Sequence, residues 1–451
     1  MVQTYGVAPT NERENVGLDT GESDALLGAE ASTSRPKRDG HASIVSSVGN
    51  LANTIIGSGM LTFPLAMASA GIVPGIITCM FSGSAAAFGL YLLSLCAVKA
   101  PHRRASFFAV SELTFPRAAV FFDAAIAIKC FGVSISYLII IKSLMPNVVA
   151  ALYHDLASTV PPVWAQSGRI WITVIGAILF PLSFLRKIDS LRHTSYVALF
   201  SVAYLLVVVV VCYFSPISDT QAPGDIHLIH FTPSFVSTFP VQVFAFTCAQ
   251  NIFPIFNEIS SNSQARMNLV IGTSIGSAAI IYEIIGVFGY LTFGSKVGAN
   301  IIAMYPSTSL FIAVGQLAIA ILVMFSYPLQ VHPCRNCLDK VFSFGHIAKQ
   351  ATDSEDEMIE DDHGSGHEMS TLKHALLTIA VVVGGFSIAY FVDDLQMVLS
   401  FVGSTGSTTI SFILPGLFYW KLSRNDPSTN RTLSKASLGL ALYGIFVFIF
   451  W

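Results

Sequence analysis

The chain has 451 residues, 53% hydrophobic and only 11% charged, with a net charge of −3, whereas soluble domains carry about 25% charged residues. So little charge cannot coat a soluble protein of this length, and no dense basic stretch interleaved with aromatics points to nucleic acid. The seven cysteines sit mostly inside apolar runs as small hydrophobes, which excludes a disulfide scaffold.

Residues 1–42 are rich in Gly, Ser, Thr, Glu and Asp and predict a disordered cytosolic tail. They hold no apolar core for a cleavable signal, so the first apolar run is expected to direct insertion. Within the tail, Glu22, Leu26 and Leu27 fit the acidic dileucine pattern that sorting adaptors read. Residues 43–451 are expected to form the transmembrane domain, in eleven stretches of about 20 apolar residues. These centre near Gly57, Ala85, Ser136, Ile178, Leu206, Phe246, Ile280, Ala318, Val382, Phe412 and Gly444. The fold class is therefore an all-α polytopic membrane protein with eleven spans in the lipid bilayer.

A cytosolic N-terminus leaves Arg169 and Lys296 facing the far side and Lys129 and Lys142 inside the third span, with every other basic residue cytosolic. That asymmetry fixes the orientation and puts the C-terminus on the opposite side.

In the first span, Gly57-Ser58-Gly59 and then Pro64 interrupt the helix. Such breaks persist in lipid only where they line a cavity or bind something. In the third span, Lys129 lies near mid-membrane and is expected to face the bundle, either in coupling or gating or paired with Asp123 or Glu258. Lys142, nearer the end, is expected to snorkel. The sixth span crowds Thr247, Cys248, Gln250 and Asn251 just before Pro254, a second break at the matching position if five helices are repeated with inverted topology. Glu283 in the seventh span is a proton-carrier candidate or a structural hydrogen-bond partner. Cys334-Arg-Asn-Cys337 lacks the second ligand pair of a metal site, and about 345–371 reads as a mobile acidic cytosolic loop. The Asn430-Arg431-Thr432 sequon faces the cytosol and should stay unmodified. With no nucleophile elbow, phosphate loop or metalloprotease motif, neither an enzyme nor a cofactor is expected.

Unwound Gly-Ser-Gly presents backbone amides where the dipole of the following half-helix favours an anion such as a carboxylate. Carbonyls ending the preceding half-helices, with the Gln250 and Asn251 amides, could accept from an ammonium. A free amino acid carries both charges, and an amine or sugar would use only part of this arrangement.

These pieces resemble the amino acid/auxin permease family. The resemblance rests on NLANTIIGSGMLTFPLA (Asn50 to Ala66), CFGVSISYLIII (Cys130 to Ile141), FTCAQNIFPIFNE (Phe246 to Glu258) and FSYPLQVHPCR (Phe325 to Arg335). The pattern is similar to fungal vacuolar amino acid transporters and lysosomal glutamine-type relatives. It implies a leucine-transporter-like five-plus-five inverted repeat plus one extra C-terminal helix, and secondary active transport of amino acids. Asn53 and Ser326 correspond to positions that border the cation site of sodium-coupled relatives. Ala249 stands where many relatives have histidine, and Lys142 where they often have glycine.

The expected function is proton-coupled movement of neutral amino acids from the lumen of a vacuole or lysosome to the cytosol. Gly57, Ser58, Gly59, Ser136, Tyr137, Cys248, Gln250 and Asn251 are the expected substrate residues, and Asn53, Ser326, Lys129 and Glu283 the coupling-ion candidates. The alternatives are an amino acid sensor of the same fold and a sodium-coupled plasma-membrane importer.

Overall fold

A computed structural model describes residues 40–100, 103–116, 119–185, 194–217, 220–353, 370–424 and 430–450. Glu22, Leu26 and Leu27, nearly all of the expected tail and most of the acidic loop lie outside the described residues, as do Arg186, Lys187 and Arg192.

The described chain is helical. Its helices are α1 (Ile44–Ile55), α2 (Phe63–Ala70), α3 (Ile72–Lys99), α4 (Phe107–Thr114), α5 (Ala119–Leu152), α6 (Gly168–Ser183), α7 (Thr194–Phe214), α8 (Phe235–Ala245), α9 (Ile252–Glu258) and α10 (Gln264–Phe293). They continue as α11 (Leu310–Asp353), α12 (Thr371–Phe391), α13 (Leu395–Val402), α14 (Leu414–Arg424) and α15 (Arg431–Phe450). Among the described residues nine helical segments are long and apolar enough to cross a membrane, and the bent pair α1–α2, angled by 47°, makes ten. The fourth expected span is not among them. With 16 residues, α6 rises about 24 Å, short of a hydrocarbon core of about 30 Å. Leu199, Ile280 and Ile449 point outward, as lipid-facing side chains do. Helix α11 runs on to Asp353, into the stretch expected to be loop.

The breaks fall where the sequence punctuates the helices. Ile55 ends α1, and after Gly57 a short 3₁₀ turn, Ser58–Thr62, leads to Pro64 at the start of α2. Helix α8 stops at Ala245, and the 3₁₀ turn Ala249–Asn251 opens α9. Gly71, at φ 89°, makes the turn into α3 in a region that favours glycine.

Around these breaks, α10 packs on α1, α2 and α3, and α5 shares its most extensive interface with α11. Helix α8 lies against α13 and the π-helical turn Gly403–Ser407 that follows it. Gly403 there meets the Pro240 carbonyl so closely that no side chain fits between them.

The outer ends of the broken helices are also tied together. Ala42, ahead of α1, forms an isolated parallel bridge with Ile259, beyond α9. Its N–H donates to the Glu258 carbonyl, and its own carbonyl accepts from Ser260, both at 2.9 Å. Arg103 donates to the Asn257 and Ile259 carbonyls, each at 2.8 Å, capping the end of α9 where orphan carbonyls favour a cation.

Candidate functional site

Between the two breaks lies a tight cavity of about 30 Å³ lined by Gly57, Ser58, Gly59, Lys129, Tyr137, Phe244, Ala245, Thr247 and Gln330, with Thr54, Ile55 and Val133. Small-molecule pockets usually enclose about 300–1,000 Å³, so this arrangement is contracted around a few polar groups.

The first break supplies donors. No described carbonyl accepts from the backbone N–H groups of Gly57, Ser58 or Gly59, and only at Met60 does bonding resume, to the Gly57 carbonyl at 3.2 Å. The Ser58 hydroxyl is buried with no partner among the described residues. Groups of this kind are rare inside proteins because leaving them unmade costs about 1–3 kcal/mol each. Two of the three residues are glycines for different reasons. A Cβ at Gly59 would sit 2.7 Å from the Ala245 Cβ and 2.9 Å from its Cα, whereas at Gly57 the nearest atom is 4.0 Å away. Gly59 brings the two broken helices into contact, and Gly57 leaves the amides open.

The second break also leaves the Cys248, Ala249 and Gln250 N–H groups without a described acceptor, but more of its side chains are bonded. Thr247 donates its N–H to Phe244 and its hydroxyl to Val243, each at 2.9 Å, while no described hydrogen bond ends on the Phe246 or Thr247 carbonyl. Asn251 donates to the Thr54 hydroxyl at 2.5 Å, joining the breaks. Tyr282 of α10 joins them again. Its hydroxyl lies 2.6 Å from the Ile55 carbonyl and 3.0 Å from the Ala245 carbonyl, the last residues of α1 and α8. A phenol has one hydrogen, so it serves the two carbonyls in turn. Its ring stacks on Phe63 at 4.5 Å and meets Phe246 edge-on at 5.2 Å.

The third helix contributes one face. Lys129, Val133 and Tyr137 repeat every four residues and line the cavity together, as i, i+4 spacing requires. Lys129 is 4% exposed and makes no ion pair among the described residues. The expected pairing with Asp123 or Glu258 does not form. Asp123 faces Lys340 at 3.9 Å, nearer the end of the helix.

Of the expected substrate residues, the structure gathers Gly57, Ser58, Gly59 and Tyr137 and leaves four off the lining. Ser136 is buried with its hydroxyl on the Val133 carbonyl at 2.8 Å, Cys248 is buried behind the break, the Gln250 carbonyl oxygen is buried unbonded, and Asn251 serves as the tie to Thr54. Asn53 is exposed and Ser326 half-buried, and neither lines the cavity. Glu283, beside Tyr282 in sequence, turns to the Cys79 thiol of α3. Lys142 runs its stem along buried surface and, beside the exposed Asp393, carries its ammonium to the polar end of α12. It is 9% exposed, bonds the Ala389 and Tyr390 carbonyls at 3.0 and 3.1 Å and pairs with Asp393 at 2.6 Å, because the end of α12 offers it orphan carbonyls.

Sequence reasoning missed Thr54, Phe244, Ala245, Gln330 and Tyr282. The four-residue repeat of Lys129, Val133 and Tyr137 would have assigned one face, and Gln330 lies inside the quoted FSYPLQVHPCR.

The family model described as transmembrane amino acid transporter protein matches residues 40–451. The chain is 43% identical over 421 residues to vacuolar amino acid transporter 5 of Schizosaccharomyces pombe, covering 91% of this chain and 93% of that protein. It is 34% identical to vacuolar amino acid transporter 6 of Saccharomyces cerevisiae, covering 90% and 97%. Among solved structures it is similar in fold to MHP1, a nucleobase-cation-symport-1 family transporter in a closed conformation with bromovinylhydantoin bound. The TM-score is 0.54 at 12% identity, over 94% of this chain and 92% of that one.

Proposed function

The chain belongs to the transmembrane amino acid transporter protein family, and from that premise we propose that it moves neutral amino acids from the lumen of a vacuole to the cytosol, driven by the proton gradient. The observation that carries this reading is the run of three N–H groups at Gly57–Gly59, unclaimed among the described residues and opening on a narrow cavity beside a second broken helix. The substrate carboxylate accepts those N–H bonds, at the start of a half-helix whose dipole favours it. Its ammonium donates to the unclaimed Phe246 and Thr247 carbonyls, and its side chain lies along Val133, Tyr137 and Phe244. Alternating access comes from rocking α1–α2 and α8–α9 with their neighbours against the rest. The cavity must widen for this, since about 30 Å³ holds little beyond a water or two.

Five helices repeated in inverted order, with α6 as a short eleventh crossing and α15 as the extra helix, account for the matching positions of the breaks. In this arrangement the N-terminus is cytosolic and the C-terminus lumenal, and the dileucine residues Glu22, Leu26 and Leu27 address the protein to the vacuole through an adaptor. Sodium would instead call on Asn53 and Ser326.

Flux of a labelled amino acid panel into proteoliposomes under imposed pH or sodium gradients tests the reading. Accumulation driven by the pH gradient is expected. Saturable binding without flux would replace transport by sensing, and accumulation driven by sodium alone would make the protein an importer. In cells, Leu26→Ala with Leu27→Ala should strand the protein at the surface.

A further inference from the structure

Lys129 is the one cationic side chain lining the cavity, and nothing among the described residues neutralises it. The charged groups of the surrounding helices lie off the cavity lining. Asp123 on its own helix faces Lys340 and the Cys337 thiol, Glu283 of α10 lies beside Cys79 with both carboxylate oxygens buried and unbonded among the described residues, Asp393 takes Lys142, and Arg335 of α11 reaches the Ser183 carbonyl and the Thr378 hydroxyl. What faces Lys129 is uncharged: the Ser58 hydroxyl and break amides, Thr247, Tyr137 and Gln330, and the thiols of Cys130 and Cys248. Its backbone cannot retreat, because Gly406 of the π-helical turn lies against it, where even a Cβ would come within 2.8 Å of the Lys129 Cβ.

An ammonium removed from water without an anion is strongly disfavoured. The break amides cannot neutralise it, since they too attract negative charge. Lys129 and the amides therefore ask for the same thing, an anionic group between them. Resting on the reading that the cavity takes an amino acid, we propose that Lys129 carries the transported proton and that the substrate carboxylate holds that proton on it. On the loading side the neutral amine uses its lone pair to take one proton from water, forming an N–H bond as the carboxylate docks between the ammonium and the Gly57–Gly59 amides. On the other side the carboxylate leaves, that N–H bond breaks and the proton passes to water, so the carrier returns with a neutral amine. Each cycle moves one zwitterion and one proton, and Glu283, outside the cavity, is not needed.

The test compares two activities of the same proteoliposomes, accumulation driven by a pH gradient and exchange of labelled for unlabelled amino acid without a gradient. Exchange never requires the empty carrier to return. Lys129→Arg keeps a cation that does not surrender its proton, so accumulation should fall at least about tenfold more than exchange does, a split equivalent to about 1.4 kcal/mol. Lys129→Gln should abolish substrate-evoked proton uptake reported by an internal pH dye. The unsubstituted protein should take up one proton per amino acid, a ratio that does not depend on the folding of a variant. If either variant still accumulates substrate in proportion to its exchange, or the native ratio is zero, Lys129 is not the carrier. Absence of exchange in the native protein would fail the amino acid reading itself and this proposal with it.

Discussion

The two broken helices flank one cavity and do different work. At the first break the chain strips away side chains and leaves three N–H groups unclaimed. The second also leaves three N–H groups, of Cys248, Ala249 and Gln250, without a described acceptor, but its Thr247 and Asn251 side chains are bonded, to α8 and to Thr54. The first break lines the cavity, and the second reaches across to tie it in place through Asn251 and Thr54. Polarity of composition does not distinguish these roles. The more polar stretch, Thr247 to Asn251, spends its Thr247 and Asn251 side chains on internal bonds, and the nearly bare Gly57-Ser58-Gly59 lines the cavity at every residue.

Substitutions can break or sharpen this contrast. The largest effect is expected at Gly59, where any side chain collides with Ala245. Gly59→Val should reduce transport below detection and lower stability by about 1–3 kcal/mol, read by flux and by thermal unfolding in detergent. Gly57→Ala, with nothing nearer than 4.0 Å, should fold normally, and equal damage at both positions would remove the distinction between contact and opening. Tyr282→Phe comes next. It keeps the ring against Phe63 and removes the donor the Ile55 and Ala245 carbonyls share, so transport should fall about tenfold and stability by about 1–3 kcal/mol, read by flux and by thermal unfolding. Asn251→Ala should do least, weakening binding about threefold by loosening the tie to Thr54, near the lower end of a hydrogen bond's net worth of about 0.5–1.5 kcal/mol. An effect larger than that of Tyr282→Phe would make the second break a direct ligand contact.

Both breaks were legible in the sequence because glycine and proline mark helix interruptions by backbone chemistry alone. Which polar residues face inward was not. Gln250 and Asn251 stand out in composition, yet their facing depends on how the turn Ala249–Asn251 is set against α9, whose seven residues are too few to show a periodic stripe. Tyr282 and Gln330 were illegible for a related reason. Their helices are apolar all round, as membrane helices are, so the amphipathic stripe that reveals the buried face of a soluble helix is missing. The eleven-span count met a similar limit at α6, where composition signals a crossing that its 16 residues do not span unaided.

The bridge between Ala42 and Ile259 has a mechanical consequence. Two backbone hydrogen bonds at 2.9 Å couple the base of α1 to the tip of α9 as a connecting rod couples two cranks, so a displacement of one is transmitted to the other until those bonds part. The rod is made from the residues through which the chain passes into the bundle. A load applied to the chain just ahead of Gly40 would therefore bear on both broken helices at once, without touching the cavity between them.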